Sequence, residues 1–303
     1  MKKIFLTGGT GFFGKSILDM LEQGFMSDTS FVILSRNPEK FLQKYPQYSK
    51  IKRVSFAAGD IRSFDFPQEQ FDEIIHAATP AVTTITDDEM RSIIIDGTKR
   101  VIEFANICKA KKLLFVSSGA VYGSQKEYTN IPENAPCNPV SAYGIAKLEA
   151  EKMCSNSSIN TLIARCFAFV GPHLELDIHF AIGNFIRDAI NGNDIIIKGD
   201  GTPHRSYMYS DDLVKWLFTI LEKGKFNHPY NVGSPQSVSI AELANQVAKA
   251  FPKPPKVKIL TPPTPGAVPI RYVPDISRAE KELDLKITIP LDRAIRKTID
   301  YHL

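Results

Sequence analysis

The chain has 303 residues, 43% of them hydrophobic, so it can bury a large core in one domain or in a main domain with a smaller lobe. Its mild net charge of +4, without a basic run interleaved with aromatics, argues against nucleic-acid binding, and the opening MKKIFLTGG has too few apolar residues for a signal peptide or a membrane span. Four cysteines without C-x-x-C spacing and six scattered histidines argue against metal and disulfide sites, so we expect reduced thiols and a cytoplasmic location.

Short apolar runs and helical patterns alternate along the first half of the chain. Strands are predicted near 2–7, 31–35, 52–56, 73–77, 112–117 and 160–165. Helices are predicted at about 14–23, 38–44, 88–109 and 142–154. This alternation indicates an α/β fold with a parallel, doubly wound sheet. Beyond residue 172 the patterns predict helices over 179–190, 211–223 and 239–251, a strand over 193–199, and a proline-rich connection over 252–269.

The first predicted strand, KKIFLT, runs directly into a glycine-rich turn and then into a helical pattern. Glycines at 8, 11 and 14 permit a tight turn, let the backbone approach a pyrophosphate, and let the helix pack closely on the strand. The spacing is G-x-x-G-x-x-G rather than the more usual G-x-G-x-x-G. We therefore predict that a dinucleotide binds at the start of this helix.

Tyr143 and Lys147 lie four residues apart in SAYGIAK, and Ser118 lies about twenty-five residues upstream. On a helix, residues at this spacing share a face, so the Lys147 ammonium can favour the ionised form of the Tyr143 phenol. The phenol would then serve as a general base for an alcohol or a general acid for a ketone. Ser118 would hold the reacting oxygen, which makes hydride transfer the predicted chemistry.

Seven motifs follow one another along nearly the whole chain. They are TGGTGFFG at the start, AGDIR at 58–62, HAAT at 76–79, LLFVSSGAVYG at 113–123, NPVSAYGIAKLEAE at 138–151, RCFAFVGP at 165–172 and RSYMYSDDL at 205–213. With these motifs the chain resembles the extended short-chain dehydrogenase/reductases of the NAD-dependent epimerase/dehydratase family. The resemblance implies a Rossmann-type NAD(P)-binding domain over 1–170 and a mostly substrate-binding lobe over 171–303, with some segments of the second range returning to the first domain.

The resemblance also implies a role for each matched residue. Ser118, Tyr143 and Lys147 are expected to be catalytic, and the last two also contact the cofactor. Cofactor contacts are further expected from Gly8, Thr10, Gly11, Phe12, Phe13, Gly14, Asp60, Ile61, His76, Ala77 and Ala78. Because His76 ends an apolar strand, we expect its ring to be packed and hydrogen-bonded rather than catalytic. Substrate contacts are expected from Ser118, Asn184, Arg205 and Arg271, the two arginines pairing with the phosphates of a nucleotide-diphosphate sugar.

The end of the second strand predicts the cofactor. NAD-dependent enzymes usually place Asp or Glu there to bind the ribose 2′-hydroxyl, and such a carboxylate would repel a 2′-phosphate. This chain has Ser35 and Arg36 instead, a hydroxyl and a planar fork of donors that suit the phosphate. We therefore expect NADP(H) to be preferred, with NAD(H) possible.

The residues after Ser118 narrow the reaction. Related dehydratases carry an acidic pair there and related decarboxylases a glutamate, whereas Gly119 and Ala120 carry no proton. Two reactions remain as candidates: reduction of a keto group and 4-epimerisation. Arg36 favours the reductase, because a net reduction draws on NADPH. We therefore predict NADPH-dependent reduction of a nucleotide-linked 4-keto-6-deoxy sugar, of the kind used in bacterial polysaccharide biosynthesis.

Three alternatives stay open. The first is a nucleotide-sugar 4-epimerase with bound NAD(P), and the second is a reductase of a non-sugar carbonyl, suggested by the turn that begins at Arg36. The third is a dinucleotide-sensing module without activity. Ile94 and Ala168 replace asparagines found in many relatives, which leaves the sugar and the nucleotide unassigned. The helices predicted at 88–109 and 142–154 form the dimer interface in this family, so a homodimer is expected.

Overall fold

The computed structural model describes residues 2–80, 84–178 and 180–303. In these ranges the strands are β1 (Lys2–Thr7), β2 (Thr29–Ser35), β3 (Val54–Ala58), β4 (Glu73–His76), β5 (Lys112–Ser118), β6 (Thr161–Cys166), β7 (Phe169–Val170), β8 (Ile195–Ile197), β9 (His204–Arg205), β10 (Met208–Tyr209), β11 (Tyr230–Val232), β12 (Val238–Ser239), β13 (Val257–Ile259) and β14 (Arg271–Tyr272). The helices are α1 (Phe12–Glu22), α2 (Pro38–Lys44), α3 (Asp87–Ile107), α4 (Ala142–Ser155), α5 (Ala181–Ile190), α6 (Ser210–Lys223), α7 (Ile240–Lys249), α8 (Ser277–Leu283) and α9 (Leu291–His302). None of these helices is both long enough and apolar enough to cross a membrane.

A seven-stranded sheet is built from the strands of the amino-terminal half and β11. Its order is β11-β6-β5-β4-β1-β2-β3. β1 pairs in parallel with β2 and β4, and β5 pairs in parallel with β4 and β6. The strand order changes direction between β1 and β4, and ligands of such sheets bind beyond the carboxyl ends of the strands at this point. The predicted parallel, doubly wound sheet is therefore confirmed.

The bounds of the predicted helices and strands lie within two residues of those observed in the described part of the chain. The helix predicted over 179–190 begins at Ala181, and His179 lies outside the described residues. The proline-rich connection predicted over 252–269 contains β13, which pairs in parallel with β8. This strand has three residues, all at least partly exposed, so the sequence offers no alternation long enough to indicate it.

The chain divides into two compact units. The first comprises Met1–Gly123, Cys137–Cys166 and Val214–Tyr230, and the second comprises Ser124–Pro136, Phe167–Leu213 and Asn231–Leu303. This differs from the boundary predicted after residue 170, because 124–136 joins the second unit. The reason is backbone pairing: Ile131 bridges Pro274, and its N–H donates to the Val273 carbonyl at 2.8 Å.

Helix α4 carries two stripes of side chains at four-residue spacing. Ala146, Ala150 and Cys154 are completely buried in the apolar core of the first unit. The neighbouring stripe consists of Tyr143, Lys147 and Glu151. Because small side chains allow the helix to lie close to the core, they bring this second, chemically active stripe close to the first unit's sheet.

Candidate active site

The glycine-rich turn after β1 has the geometry that the sequence predicts. Gly8 has φ +76°, a conformation that favours glycine, and its carbonyl accepts from the Gly11 N–H at 3.2 Å. A Cβ on Gly14 would lie 2.1 Å from the backbone of Gly9, so only glycine permits this close packing. A Cβ on Gly11 would meet the Gly8 carbonyl oxygen at 3.6 Å, an ordinary contact. Packing within the protein therefore does not require glycine at position 11, which suits close approach of a ligand there.

The start of α1 is suited to an anion. Gly11 is its N-cap, and no side chain in the described part of the chain caps it. The first turn also contains no acidic residue, so its N–H groups and the helix dipole favour a phosphate. Thr10 precedes this N-cap, and Phe12 and Phe13 are the first residues of the helix. These residues fit the pyrophosphate of a dinucleotide.

The ends of β2 and β3 form a polar corner. Ser35 is buried, Arg36 is exposed, and the Asn37 side chain caps α2 by accepting from the Lys40 N–H at 2.9 Å. After β3, Asp60 accepts from the Arg62 Nε at 2.8 Å, which lowers the pKa of this carboxyl, with a smaller contribution from Arg36. Ile61 is buried beside it. This corner fits the adenosine end of a dinucleotide, because the two arginines balance the negative charge of the carboxylate.

His76 is packed and fully hydrogen-bonded, with 2% of its surface exposed. Thr98 Oγ1 donates to the Ile94 carbonyl at 2.6 Å, so it accepts from His76 Nε2 at 3.1 Å. Thr7 Oγ1 then donates to His76 Nδ1 at 2.8 Å. Burial lowers the pKa of His76 to about 3, which keeps the ring neutral. His76 therefore fixes the end of β4, and the contacts of His76, Ala77 and Ala78 with a cofactor stay predictions.

The structure brings Ser118, Tyr143 and Lys147 together in the first unit. Ser118 ends β5, and its Oγ accepts from the Ala120 N–H at 3.1 Å, which starts the tight 3-10 turn Gly119–Tyr122. Ser141 caps α4 by accepting from the Gly144 N–H at 3.1 Å. A Cβ on Gly144 would lie 2.7 Å from the Ala120 carbonyl oxygen, so glycine lets the first turn of α4 approach the Ser118 turn.

The Tyr143 phenol is hydrogen-bonded to the Ser118 side chain. Burial raises the pKa of Tyr143 to about 12, and the Ser118 hydrogen bond opposes this rise only in part. The prediction that Lys147 lowers this pKa is therefore wrong for the arrangement seen here. Lys147 Nζ lies 5.9 Å from the centre of the Tyr143 ring and directs its hydrogen bonds elsewhere. The phenol consequently carries its proton at neutral pH.

Lys147 is buried, with 3% of its surface exposed. Its Nζ donates to Thr79 Oγ1 at 2.7 Å and to the Val116 carbonyl at 2.8 Å. Burial lowers the pKa of Lys147 to about 8. Sequence analysis missed Thr79, although it ends the HAAT motif, because only the fold shows that its hydroxyl reaches a lysine 68 residues away.

The predicted phosphate ligands all lie in the second unit. β9 and β14 pair in a register that sets Arg205 beside Tyr272 and His204 beside Arg271. Because successive residues of a strand face opposite sides, Arg205 and Arg271 point to opposite faces of this small sheet. The Arg205 guanidinium lies 5.8 Å from the Tyr272 ring centre, and Arg271 Nη1 donates to Ser237 Oγ at 3.3 Å.

Asn184, the third predicted phosphate ligand, is on α5. Its Oδ1 accepts from Arg187 Nη1 at 3.1 Å, which orients the amide nitrogen away from that partner. The structure thus does not bring Arg205 and Arg271 to one face. The substrate roles of Asn184, Arg205 and Arg271 stay predictions.

Comparisons with known proteins agree with this fold. The model of the NAD dependent epimerase/dehydratase family matches residues 4–233. UDP-glucuronic acid decarboxylase 1 of Xenopus tropicalis is 26% identical over 321 residues, covering 99% of this chain and 72% of that protein. UDP-glucuronic acid decarboxylase 6 of Arabidopsis thaliana is 28% identical over 305 residues, covering 93% of this chain and 83% of that protein.

Among solved structures, UDP-glucuronic acid 4-epimerase from Bacillus cereus, in complex with UDP-glucuronic acid and NAD, superposes with a TM-score of 0.85. It is 26% identical, with 99% of this chain and 98% of that chain covered. The doubly wound sheet, the glycine turn and the Ser118–Tyr143–Lys147 cluster are those of an extended short-chain dehydrogenase/reductase enzyme. Within that class, the chain belongs to the NAD dependent epimerase/dehydratase family.

Proposed function

We propose that this protein uses NADPH to reduce the keto group of a nucleotide-linked 4-keto-6-deoxy sugar. The observation that carries the proposal is the end of β2, where Ser35 is followed by an exposed Arg36 and no carboxylate. A guanidinium there favours a 2′-phosphate, whereas a carboxylate would select the 2′-hydroxyl of NAD. NADPH drives net reductions, so this selectivity supports a reductase.

The turn after Ser118 supports the same choice. Gly119 and Ala120 occupy the positions where the family's dehydratases and decarboxylases carry acidic residues. Neither side chain can move a proton, so steps that remove a proton from the sugar carbon skeleton lack a catalyst there. Some of the relatives compared above are named as decarboxylases. The residues of this chain support instead a hydride transfer accompanied by the transfer of one proton from Tyr143.

Each residue of the cluster has a role in such a reduction. NADPH, when bound along the glycine turn, would supply the hydride. Tyr143 would donate its proton to the alkoxide that forms, since its raised pKa keeps it protonated at neutral pH. Ser118 would hold the carbonyl oxygen beside Tyr143, and the Lys147 ammonium would bind the nicotinamide ribose.

The substrate is assigned from the charge available to its phosphates and from the relatives. Arg205 offers a guanidinium stacked near Tyr272, which suits a diphosphate next to a ring. The solved Bacillus cereus epimerase carries UDP-glucuronic acid, and further relatives are named for dTDP-glucose. A nucleoside diphosphate sugar is therefore the substrate class.

A 4-epimerase is the second candidate. The likeness to the Bacillus cereus 4-epimerase favours it, because that enzyme covers the same length and was solved with NAD. Epimerisation begins with oxidation, so Tyr143 would first have to act as a base. The raised pKa of Tyr143 makes this first step less favourable than proton donation.

The test is to mix the purified protein with NADPH or NADH and with UDP- and dTDP-linked 4-keto-6-deoxy sugars. Loss of reduced-cofactor absorbance and product identity by NMR are followed together, with Tyr143→Phe as the inactive control. Stoichiometric NADPH consumption, faster than with NADH, supports the reductase. Interconversion of ordinary nucleotide hexoses without added cofactor, and no NADPH consumption, would replace it with the epimerase.

A further inference from the structure

A buried ion pair lies behind the catalytic cluster. Glu151 and Arg165 have 4% and 7% of their surfaces exposed. Arg165 Nη2 donates to Glu151 Oε2 at 2.8 Å, and Arg165 Nε donates to Glu151 Oε1 at 3.1 Å, a two-point contact that fixes both side chains. Glu151 lies one helical turn beyond Lys147 on the same stripe of α4. The carboxylate is therefore held on the face that carries the catalytic side chains.

The same pair contacts both ends of the Ser118 turn. Ser117 Oγ donates to Glu151 Oε1 at 2.5 Å, and Ser117 is the strand partner of Arg165 in the β5–β6 register. Arg165 Nη1 also donates to the Tyr122 hydroxyl at 3.0 Å, and Tyr122 ends the tight turn that begins after Ser118. One ion pair thus joins β5, β6, α4 and the catalytic turn.

A contribution to folding stability does not by itself explain why this ion pair is buried here. Removing two charges from water is costly, and apolar residues of similar volume are often equally stabilising. A fixed carboxylate one helical turn from a buried lysine favours the protonated form of that lysine. Lys147 is the cation concerned.

The charge of Lys147 depends on the groups that face it. They come from three elements and are Tyr143, Glu151 and Cys154 on α4, Cys166 on β6 and His76 on β4. Burial raises the pKa of Tyr143 and of Cys154 to about 12, raises that of Cys166 as well, and lowers that of His76 to about 3. All four are neutral at neutral pH. Within the described residues, Glu151 is the group facing Lys147 that carries a negative charge.

We propose that Glu151, held by Arg165, is a positioning residue that keeps Lys147 protonated during turnover and fixes the Ser118 turn against α4. The inference rests on the proposed function only in requiring a cationic Lys147, which both the reductase and the epimerase use. Arg165 orients the carboxylate through its two-point contact. Neither residue touches the reacting atoms.

The sign of the effect follows from the burial of Lys147. Burial lowers the pKa of Lys147 to about 8, and Glu151 acts in the opposite direction. Removing the carboxylate therefore lowers the pKa of Lys147 further. Activity that needs the cation is lost as pH rises through the pKa of Lys147, so the alkaline limb of the pH profile moves to lower pH.

The experiment compares Glu151→Gln with the unmodified enzyme by measuring kcat/KM for NADPH against pH, with the 4-keto-6-deoxy sugar saturating. This parameter reports ionisations of the enzyme form to which NADPH binds. We expect a decrease of about fivefold at about pH 8 and almost no decrease at about pH 6. Glu149→Gln is the matched control, because Glu149 lies on the same helix but pairs with Arg91 at the surface. Its profile is expected to be unchanged.

The double variant Glu151→Gln, Arg165→Met keeps the inference testable if the single variant does not fold. It removes both charges together, so no buried charge is left unpaired. Because the Arg165 cation opposes the carboxylate at Lys147, its alkaline limb should move in the same direction as in the single variant but by less. An unshifted limb in a folded variant, or an equal loss at every pH, would overturn the proposal. Failure of the proposed function appears differently, as an unmodified enzyme without NADPH turnover. The same profile is then measured in the epimerase assay.

Discussion

Replacing Gly144 with alanine tests whether the contact between α4 and the Ser118 turn sets the catalytic geometry. The added Cβ would lie 2.7 Å from the Ala120 carbonyl oxygen, whereas ordinary contacts begin at 3.4 Å. The difference of 0.7 Å is the distance by which the first turn of α4 has to move away from the Ser118 turn. Tyr143 is the neighbouring residue, so it moves with this turn.

A misplacement of about 1 Å in an active site can cost about a hundredfold in rate, so a decrease in kcat of about tenfold is expected for Gly144→Ala. Stability should change less, because the gain in helix propensity of about 1 kcal/mol offsets part of an overpacking cost of about 1–3 kcal/mol. Steady-state NADPH oxidation and thermal unfolding are measured on the same preparation. Gly199→Ala is the control, since its Cβ would enter open space. A folded Gly144→Ala variant with unchanged kcat would refute the reasoning.

Three further variants test individual contacts. Tyr143→Phe should lower kcat by about a hundredfold or more, because it removes only the proton donor, and NADPH affinity measured by fluorescence titration should be unchanged. A variant that loses more NADPH affinity than kcat would contradict this role. Arg36→Asp should raise the KM for NADPH by about thirtyfold and lower that for NADH, because it removes charged hydrogen bonds to the 2′-phosphate and supplies a carboxylate for the 2′-hydroxyl. Equal changes in both KM values would assign Arg36 no role in selectivity. Thr79→Val removes the hydroxyl that accepts from Lys147, so kcat should fall about tenfold, whereas Thr79→Ser keeps the hydroxyl and should retain kcat. If kcat falls equally in both variants, the packing of the Thr79 side chain and not its hydrogen bond is what matters.

The sequence predicts the local features of this protein well because they are carried by short runs. The glycines at 8, 11 and 14 and the Tyr143–Lys147 spacing each lie within one strand–helix unit, where spacing fixes geometry. The parallel sheet follows from alternation of strands and helices, with little dependence on individual side chains. Features of this kind can therefore be predicted from the order of the residues alone.

The features that sequence reasoning missed depend on distance in space rather than in sequence. Thr79 contacts Lys147 across 68 residues, and only the fold brings them together. The predicted direction of the Tyr143 pKa shift is wrong because a motif shows the neighbouring cation but not the burial, which here dominates. The opposite faces of Arg205 and Arg271 depend on a one-residue register between two short strands.

The division of the chain into six alternating segments bears on how this protein can be altered. Because the polypeptide passes from one unit to the other five times, neither unit exists as a continuous stretch that could be cloned alone or exchanged with that of a relative by a single crossover. A chimera that exchanges the second unit would need three grafts made together. Point substitutions within 124–136, 167–213 and 231–303 are thus a simpler way to alter the second unit than recombination of whole modules.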